Sequence, residues 1–395
     1  METTSDHWAA EPERLRSRRR SGSVPDDPEA AVRDIGEEDW RQFNHLTSVK
    51  LNADELDLAA RPDRRAPEDR EYLAVHWHPE WAPLELIQTR LKRAFPQAEN
   101  YLAIPTQHNR ILTFGPWAGV EADVYDHKLG LKVQLLLHFS ADKMGRASAL
   151  AAMMDKTYNY RAHQLLDILS RLADPASVRV SKCSVSDEAV GLARFFALRL
   201  QALIEQSHLI GSAGDEMLKN RLLPDFLIAR THQAPRGLVD QALMFISAVK
   251  KEVKASLNPA AFFSPEEVVE EVRGLGGGVI IPHPPQFWPF LMSDLPVDGW
   301  EVWNPSTPRH AVFLLEALKR ANEARPGHSR PLLAFMGDDT HMSAKFRPGW
   351  GEEKDSAGRE IGFQDPWTDP ALQSLLADAG QSLVRTINEY RSRLT

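Results

Sequence analysis

The stretch SPEEVVEEVRGLGGGVIIPHP, residues 264–284, combines a helix, a turn and a strand in immediate succession. Ser264 is a suitable helix N-cap, the proline after it favours the first helical turn, and Glu267 completes a capping box. The glycines at 276–278 end the helix, and the apolar run after them predicts a buried strand. The segment therefore predicts an α/β unit whose strand leads directly to a histidine, His283.

Short β-like runs and helical stretches alternate from about residue 70 onward. The β-like runs are EYLAV, NYLAIPT, GVEADVY, LKVQLLLHF, GWEVWN and PLLAFMGDDTH. Apolar residues occur at helical spacing in PLELIQTRLKRAF, in HAVFLLEALKRANEA and in one final helix at residues 370–392. Alternation of this kind predicts an α/β fold with parallel strands.

The region between residues 142 and 259 has a different pattern, because long stretches repeat apolar residues at i, i+3, i+4 and i+7. We predict that 142–259 is a helical insertion in an α/β domain formed by residues 39–141 and 260–395. Residues 1–38 are rich in Pro, Ser and charged residues, which predicts a disordered tail. Its stretch RLRSRRR, at 14–20, is either a nucleic-acid tether, a targeting patch or an ordinary solvated tail.

The composition is that of a globular protein with 395 residues, of which 43% are hydrophobic and 26% charged. A net charge of -8 gives no overall indication of a nucleic-acid-binding or membrane-surface protein. The single cysteine, Cys183, excludes intramolecular disulfides and cysteine-rich zinc motifs, which favours a cytoplasmic location. No apolar run approaches the roughly 18 residues of a membrane span, so we expect no membrane partner. Any metal site must be built from carboxylates and from the fourteen histidines.

Several of these histidines and carboxylates share one property, which is that they follow or end a β-like run. They are His76, His78, His108, Glu121, His138, His283, Asp339 and His341. In HWHPEW, residues 76–81, the H-x-H spacing puts both imidazoles on one side of a strand. Imidazole and carboxylate ligands suit Zn, Mn or Fe, and a cluster of this size can hold two or three divalent ions. The sequence therefore predicts a multinuclear metal site.

These segments resemble the motifs of the PHP family (polymerase and histidinol phosphatase domain), a set of metal-dependent phosphoesterases and nucleases. The similar segments are HWHPEWAPLELI, LAIPTQHN, GVEADVYD, SPEEVVEEVRGLGGGVIIPHP, GWEVWN and GDDTH, which together cover about residues 70–140 and 260–345. The resemblance implies an α/β fold of a particular kind, a distorted (β/α)7 TIM-like barrel with a helical insertion. It also implies ligand roles for His76, His78, His108, Glu121, His283, Asp339 and His341. We assign catalysis to Glu121, His283 and Asp339.

The chain departs from the family pattern at three positions. Ala74 and Gln107 stand where the family has acids, and Gln134 stands where it has a histidine. An acid beside a ligand histidine orients the ring, so its loss weakens metal binding. His138 lies four residues after Gln134, faces the same side of a regular strand and is a candidate replacement ligand. Either the site is intact with a shifted ligand, or it is weakened.

Further residues have two possible roles each. The aromatic stretches at 285–290 and 303–305 form either a substrate wall or ordinary packing at the rim. Lys345 and Arg347 follow the D-x-H motif and are candidates to neutralise a substrate phosphate. Glu301, in WEVWN, is expected to support the site rather than to bind metal.

The first functional hypothesis is a metal-dependent hydrolase that cleaves phosphoester bonds with a metal-activated water. Its substrate is a phosphorylated small molecule or a nucleotide. A nuclease acting on DNA or RNA is the close variant, against which the acidic composition argues mildly. The other hypotheses are an amidohydrolase and a degenerate, non-catalytic scaffold, the latter motivated by the three departures from the family pattern.

Overall fold

The structure is a computed structural model, and the described residues are 32, 35–174, 176, 184–211, 215–326, 329–346 and 358–395. Of the predicted tail at 1–38, all but residue 32 and residues 35–38 lie outside this part of the chain. The arginine-rich stretch at 14–20, Cys183 and Arg347 also lie outside the described residues.

The secondary structure is mixed α/β. The α-helices are α1 (Glu37–Thr47), α2 (Ala53–Ala60), α3 (Leu84–Ala94), α4 (Ser148–Ala173), α5 (Asp187–Ser207), α6 (Leu222–Arg230), α7 (Arg236–Ala255), α8 (Pro265–Gly274), α9 (Ala311–Ala324), α10 (Met342–Phe346), α11 (Pro370–Asp378) and α12 (Leu383–Leu394). The strands are β1 (Glu71–Ala74), β2 (Trp77–His78), β3 (Asn100–Ala103), β4 (Leu112–Phe114), β5 (Trp117–Asp126), β6 (Leu131–Ser140), β7 (Gly278–Ile281), β8 (Gly299–Trp303), β9 (Leu333–Met336) and β10 (Thr340–His341).

The chain forms two compact units, and in its described residues the first is helical. It comprises the described residues up to Leu46, together with Leu166–His208 and Leu222–Val253. Phe196 of α5 packs edge-to-face on Phe226 of α6, with ring centroids 5.9 Å apart. Buried Asp39 of α1 lies 2.8 Å from a guanidinium nitrogen of Arg199 and 2.8 Å from one of Arg230. The boundaries of the insertion at 142–259 remain a prediction.

The second unit contains all the strands named above and comprises Thr47–Leu165, Leu209–Arg221 and Lys254–Thr395. Its main sheet has six strands in the order β4-β5-β6-β7-β8-β9. The pairs from β4 to β7 are antiparallel, whereas β7, β8 and β9 are parallel. Two further sheets have two parallel strands each, β1 with β3 and β2 with β10.

The prediction of a distorted (β/α)7 barrel is wrong. The strands of the described residues form one six-stranded sheet and two two-stranded sheets, and no closed barrel is found among them. The physical reason lies between β5 and β6, which the four residues 127–130 join as an antiparallel hairpin. Asp126 accepts hydrogen bonds from the backbone of Lys128 and Leu129, and Gly130 takes a positive φ of 66°. A turn of this chemistry reverses the chain where a parallel fold needs a crossover helix.

The six-stranded sheet has one mainly apolar face. Val120, Ala122 and Val124 of β5 point into this main hydrophobic core. Because side chains alternate along a strand, Glu121 points to the opposite face, as does Glu301 on β8. Part of that second face is also apolar, where it is covered by residues of α12 such as Tyr390. Glu121 and Glu301 therefore lie on the sheet face opposite the main hydrophobic core.

Two helix predictions have different outcomes. The capping box at the start of α8 is confirmed, since Ser264 and Glu267 bond to each other's backbone N–H groups. The single helix predicted at 370–392 is wrong, because α11 ends before Gly380 and α12 starts after Ser382. Gly380 has a positive φ of 67°, and Ser382 caps the new helix. No helix in the described part of the chain has both the length and the apolar character needed to cross a membrane.

Gly119 is predicted to be essential for packing β5 against the chain before His108. A Cβ atom at Gly119 would lie 2.4 Å from the carbonyl oxygen of Pro105 and 2.7 Å from Ile104 Cγ2. We expect Gly119→Ala to lower the free energy of unfolding by about 1–3 kcal/mol, as overpacking does. Chemical denaturation measures this, with Gly145→Ala as the control because a Cβ there has no neighbour within 4 Å. Equal stability of the two variants would contradict the packing argument.

Candidate metal centre

Glu121 is the carboxylate around which most of the predicted ligands gather. Its Oε1 lies 3.8 Å from His76 Nε2 and 3.4 Å from His283 Nε2. Its Oε2 lies 3.7 Å from His78 Nε2 and 2.6 Å from His108 Nδ1. His108 reaches it because residue 108 forms a parallel bridge with residue 121 of β5. Four histidines from three segments of the chain thus surround one carboxylate that is 1% exposed.

Asp339 is a second carboxylate shared by several histidines. Its Oδ1 lies 3.7 Å from His76 Nε2, 3.6 Å from His78 Nε2 and 3.6 Å from His341 Nε2. The pairing of β10 with β2 causes this, since it sets His341 directly beside His78. The rings of those two histidines stack with centroids 4.4 Å apart. Seven of the eight sequence-predicted residues are therefore within one cluster.

The unpaired atoms of this cluster fit bound cations. Buried ring nitrogens without a hydrogen-bond partner among the described residues include His76 Nε2, His78 Nδ1, His138 Nε2 and His283 Nδ1. Such atoms are costly unless another group satisfies them. Four ligands arranged tetrahedrally at zinc-like bond lengths lie about 3.4 Å from one another, close to the separations observed here.

Two groups of ligand atoms can hold a metal ion. One is His76, His78 and Glu121, and the other is His78, His108 and His341. The ligand atoms of each group lie within 4.8 Å of one another, and His78 belongs to both. The first group is buried, whereas His108 and His341 of the second are partly exposed. The arrangement can accordingly bind metal through histidine and carboxylate ligands.

His138 is not in either group. It is fully buried on β6, and its Nδ1 lies 2.8 Å from the hydroxyl of Tyr390. Burial lowers the pKa of His138 to about 3, so the ring is neutral at pH 7. The departures from the family pattern are also accounted for locally. Gln107 accepts a hydrogen bond from the backbone of Glu80, and Gln134 pairs with Asp123 across β5 and β6.

Glu301 holds two of the histidines in place. Its Oε1 lies 2.5 Å from His76 Nδ1, and its Oε2 accepts a hydrogen bond from the backbone N–H of His283. A carboxylate on the far nitrogen of a ligand histidine orients the ring and raises its basicity. Glu301, on strand β8, is thus the acid that orients the ring of His76. Its supporting role, expected from the sequence, agrees with these contacts.

Backbone strain concentrates at this cluster. Non-glycine residues with positive φ in the described chain include Glu80, Asn109, His283 and Asp339, at 54°, 50°, 29° and 47°. Such conformations cost about 1–3 kcal/mol each and persist only where the surrounding structure enforces them. Each of these residues is a predicted ligand or lies within two positions of one. The fold therefore loses some stability in orienting these side chains toward the cluster.

Electrostatics divides the histidines into two kinds. Burial alone would lower the pKa of His76, but the Glu301 carboxylate, with Asp339 and Glu121, raises it to about 10. Burial likewise opposes protonation of His341, yet Asp339 and Glu80 raise its pKa to about 10. Burial together with the neighbouring imidazoles lowers the pKa of His78 to about 3. His78 is thus a neutral, ready ligand, whereas His76 and His341 hold protons in the metal-free protein at pH 7.

Both central carboxylates are ionised despite their burial. Burial favours the neutral acid, but neighbouring histidines, His108 first among them, hold the pKa of Glu121 well below its usual range. The pKa of Asp339 is likewise held well below its usual range, against burial, by His341, His78 and His76. The centre therefore offers two negative charges to a cation.

Several site residues were not identified from the sequence. Glu80, in the quoted HWHPEW, lies with its Oε1 3.5 Å from His341 Nδ1 and 2.6 Å from Lys219 Nζ. Its Oε2 accepts a hydrogen bond from the backbone N–H of Ser343. The only signal for Glu80 was its place two residues after the H-x-H pair. No sequence signal indicated Lys219, because it is distant in sequence from the other site residues and lies in no recognised motif.

Arg359 is a further residue that the sequence did not indicate. Its Nη1 donates to the carbonyl oxygen of Asp339 and lies 3.2 Å from Asp339 Oδ2. The next residue, Glu360, is held by the buried guanidinium of Arg90 through two bonds of 2.7 and 2.6 Å. Lys345, a candidate phosphate ligand from its sequence position, lies with its Nζ 3.7 Å from Glu360 Oε2. In the aromatic stretch at 285–290, the ring of Phe287 lies 5.4 Å from that of His283.

No protein-family model matches the chain, and no curated protein matches it. Among solved structures, the chain is similar to a candidate metal-dependent phosphoesterase of Bifidobacterium adolescentis ATCC 15703, with 18% identity and a TM-score of 0.42. The alignment covers 79% of this chain and 97% of that one. A similarity this low assigns no function, and the resemblance of the motifs to the PHP family stays a prediction.

Single histidine substitutions are predicted to remove metal unequally. We expect His78→Ala to lose most of the bound metal because His78 belongs to both ligand groups. His76→Ala and His108→Ala should each lower the metal content by less, since each belongs to one group. Elemental analysis after manganese reconstitution and desalting measures this, with exposed His232→Ala as the control. Full metal content in His78→Ala would contradict the assignment.

Metal binding is predicted to release protons. The pKa values of His76 and His341, both about 10, mean that these rings must lose protons at pH 7 before they bind an ion. We expect about two protons released per protein at pH 7, and an affinity that increases as pH rises from 7 toward 10. Calorimetric titration in two buffers of different ionisation enthalpy measures the release. An enthalpy independent of the buffer would contradict the predicted protonation.

Proposed function

We propose that this protein is a metal-dependent hydrolase that cleaves phosphoester bonds. The observation that carries the proposal is the set of buried and partly buried histidine side chains that converge on the carboxylates of Glu121 and Asp339. Ligands of these types suit Zn, Mn or Fe, and their number is compatible with two or three ions. Divalent ions in such a site polarise a phosphoryl oxygen and activate water near neutral pH.

The chain's own residues have distinct roles in this proposal. Glu121 and Asp339 would supply the negative charge that holds the ions, and Glu301 fixes the ring of His76. His283 belongs to neither metal-ligand group, and its Nε2 lies 3.4 Å from Glu121 Oε1. We assign to His283 Nε2 the transfer of a proton during bond cleavage. The substrate is a phosphorylated small molecule or a nucleotide, with a nucleic acid as the alternative.

The proposal is tested with manganese- or zinc-loaded protein and a panel of esters. The panel contains p-nitrophenyl phosphate, bis-p-nitrophenyl phosphate, nucleoside monophosphates and a short single-stranded DNA. We expect turnover of at least one ester, reduced at least about 100-fold in Glu121→Gln because the ions are then poorly held. His283→Ala should lower kcat about 100-fold while keeping its metal. The exposed His232→Ala serves as the control.

Each outcome of the panel has a definite meaning. Stoichiometric metal without turnover of any ester would contradict the proposal and favour the non-catalytic scaffold. Metal lost in His283→Ala would contradict the proton-transfer role and make His283 a ligand. Cleavage of DNA in preference to the monoesters would favour the nuclease variant.

A further inference from the structure

A short segment, residues 215–219, is anchored beside the metal centre by polar contacts. Its 3-10 turn begins with Asp215, and Arg110 binds Asp215 and Glu216 through nitrogens 3.1 and 2.8 Å from their carboxylates. The hydroxyl of Tyr158 donates a third hydrogen bond, to Asp215 Oδ1 at 3.1 Å. The guanidinium of Arg110 also lies 4.0 Å above the Tyr158 ring. The segment is thus tied to the residue two positions after the ligand His108.

This anchoring delivers Lys219 to the edge of the centre. Its Nζ lies 2.6 Å from Glu80 Oε1, and that same oxygen lies 3.5 Å from His341 Nδ1. Glu80 is nearly buried, with 4% of its side chain exposed, whereas 42% of the Lys219 side chain is exposed. The accessible ammonium group of Lys219 and the predicted metal ligand His341 therefore lie beside the same oxygen of Glu80.

Glu80 itself is fixed independently of Lys219. Its second carboxylate oxygen accepts bonds from the backbone N–H and the hydroxyl of Ser343, and its backbone N–H donates to Gln107. An ammonium group has three donors, and the contact with Glu80 uses one of them. Glu80 can hold the Lys219 ammonium in place while other donors remain for a ligand.

We infer that Lys219 binds the phosphate group of the substrate and that the substrate is a phosphate monoester. This inference rests on the proposed function. A monoester phosphate is a dianion near pH 7, and the carboxylates of Glu80, Glu121 and Asp339 repel it unless cations offset them. Arg359 is already engaged by Asp339 through two contacts, which leaves Lys219 as the more accessible cation. The ammonium group of Lys219 adds a positive charge to those of the metal ions, which favours a dianionic monoester over a monoanionic diester.

The inference is tested with manganese-loaded protein and inorganic phosphate as the probe. Isothermal titration measures phosphate affinity in the wild type, Lys219→Met, Lys219→Arg, Glu80→Gln and the Glu80→Gln/Lys219→Met double variant. We expect Lys219→Met to weaken phosphate binding at least about tenfold, and Lys219→Arg to retain most of it. Manganese content is measured in every sample. The control is Lys128→Met, which removes an exposed lysine that also pairs with a single glutamate, at 2.7 Å.

The double variant separates phosphate binding from mere charge compensation of Glu80. If Lys219 binds phosphate, Lys219→Met weakens phosphate binding in the Glu80→Gln background as well. If it only neutralises Glu80, the loss disappears in that background, which overturns the inference. A wild-type protein that loads manganese but does not bind phosphate overturns it too.

Failure of the proposed function gives a different pattern from failure of this inference. Lys219-dependent phosphate binding without turnover of any ester contradicts hydrolysis but leaves Lys219 as a phosphate ligand. Hydrolysis of monoesters with unchanged phosphate affinity in Lys219→Met contradicts the inference alone. If both hold, Lys219→Met should raise KM for the monoester p-nitrophenyl phosphate far more than for its diester.

Discussion

The structure of this centre depends on keeping Glu121 ionised in a buried position. A carboxylate that is 1% exposed is costly unless neighbouring polar or charged groups stabilise its negative charge. Here His76, His78, His108 and His283 supply imidazoles within 3.8 Å of its oxygens. The same demand explains why Glu301 must be present, since it fixes the ring of one of these histidines. Removing any one of these side chains leaves the Glu121 carboxylate less well stabilised.

Stability and function are in competition at this place. Four residues in or beside the centre take positive φ values that only the surrounding structure can enforce. The apolar face of the six-stranded sheet, with residues such as Val120 and Phe139 fully buried, offsets this strain from the other side of the same strands. Alternation along β5 thus couples the two faces, because shifting the strand by one residue would exchange Glu121 with an apolar neighbour. A bound cation would stabilise the folded state further, by mass action.

Much of the centre was predictable because its residues lie at the ends of apolar runs. Side-chain alternation and the positions after β-like runs identified His76, His78, His108, Glu121, His283, Asp339 and His341, and the structure gathers these residues into one cluster. His138 lies on the same face of the sheet as Glu121, but its ring contacts the hydroxyl of Tyr390. The side chain of Tyr390, in α12, reaches the sheet only because Gly278 leaves room for its ring. No local sequence pattern predicts such a long-range contact.

The topology was less predictable than the site. Individual strands and helices follow from periodicity, but periodicity does not state which strands pair or in which direction. The turn at residues 126–130 decides this for β5 and β6, and its Asp and Gly chemistry is the signal that was available. Glu80, Lys219 and Arg359 were beyond sequence reasoning for a different reason. Their roles arise from neighbours up to 263 positions away, and their own segments carry no periodic pattern.

The central claim is that cations bind among the atoms that surround Glu121 and Asp339. Anomalous X-ray diffraction from crystals of manganese-loaded protein tests this most directly. We expect anomalous peaks within bonding distance of Glu121, of His78 and of at least one of His76, His108 and His341. Peaks confined to other parts of the molecule, or none at saturating manganese, would contradict it.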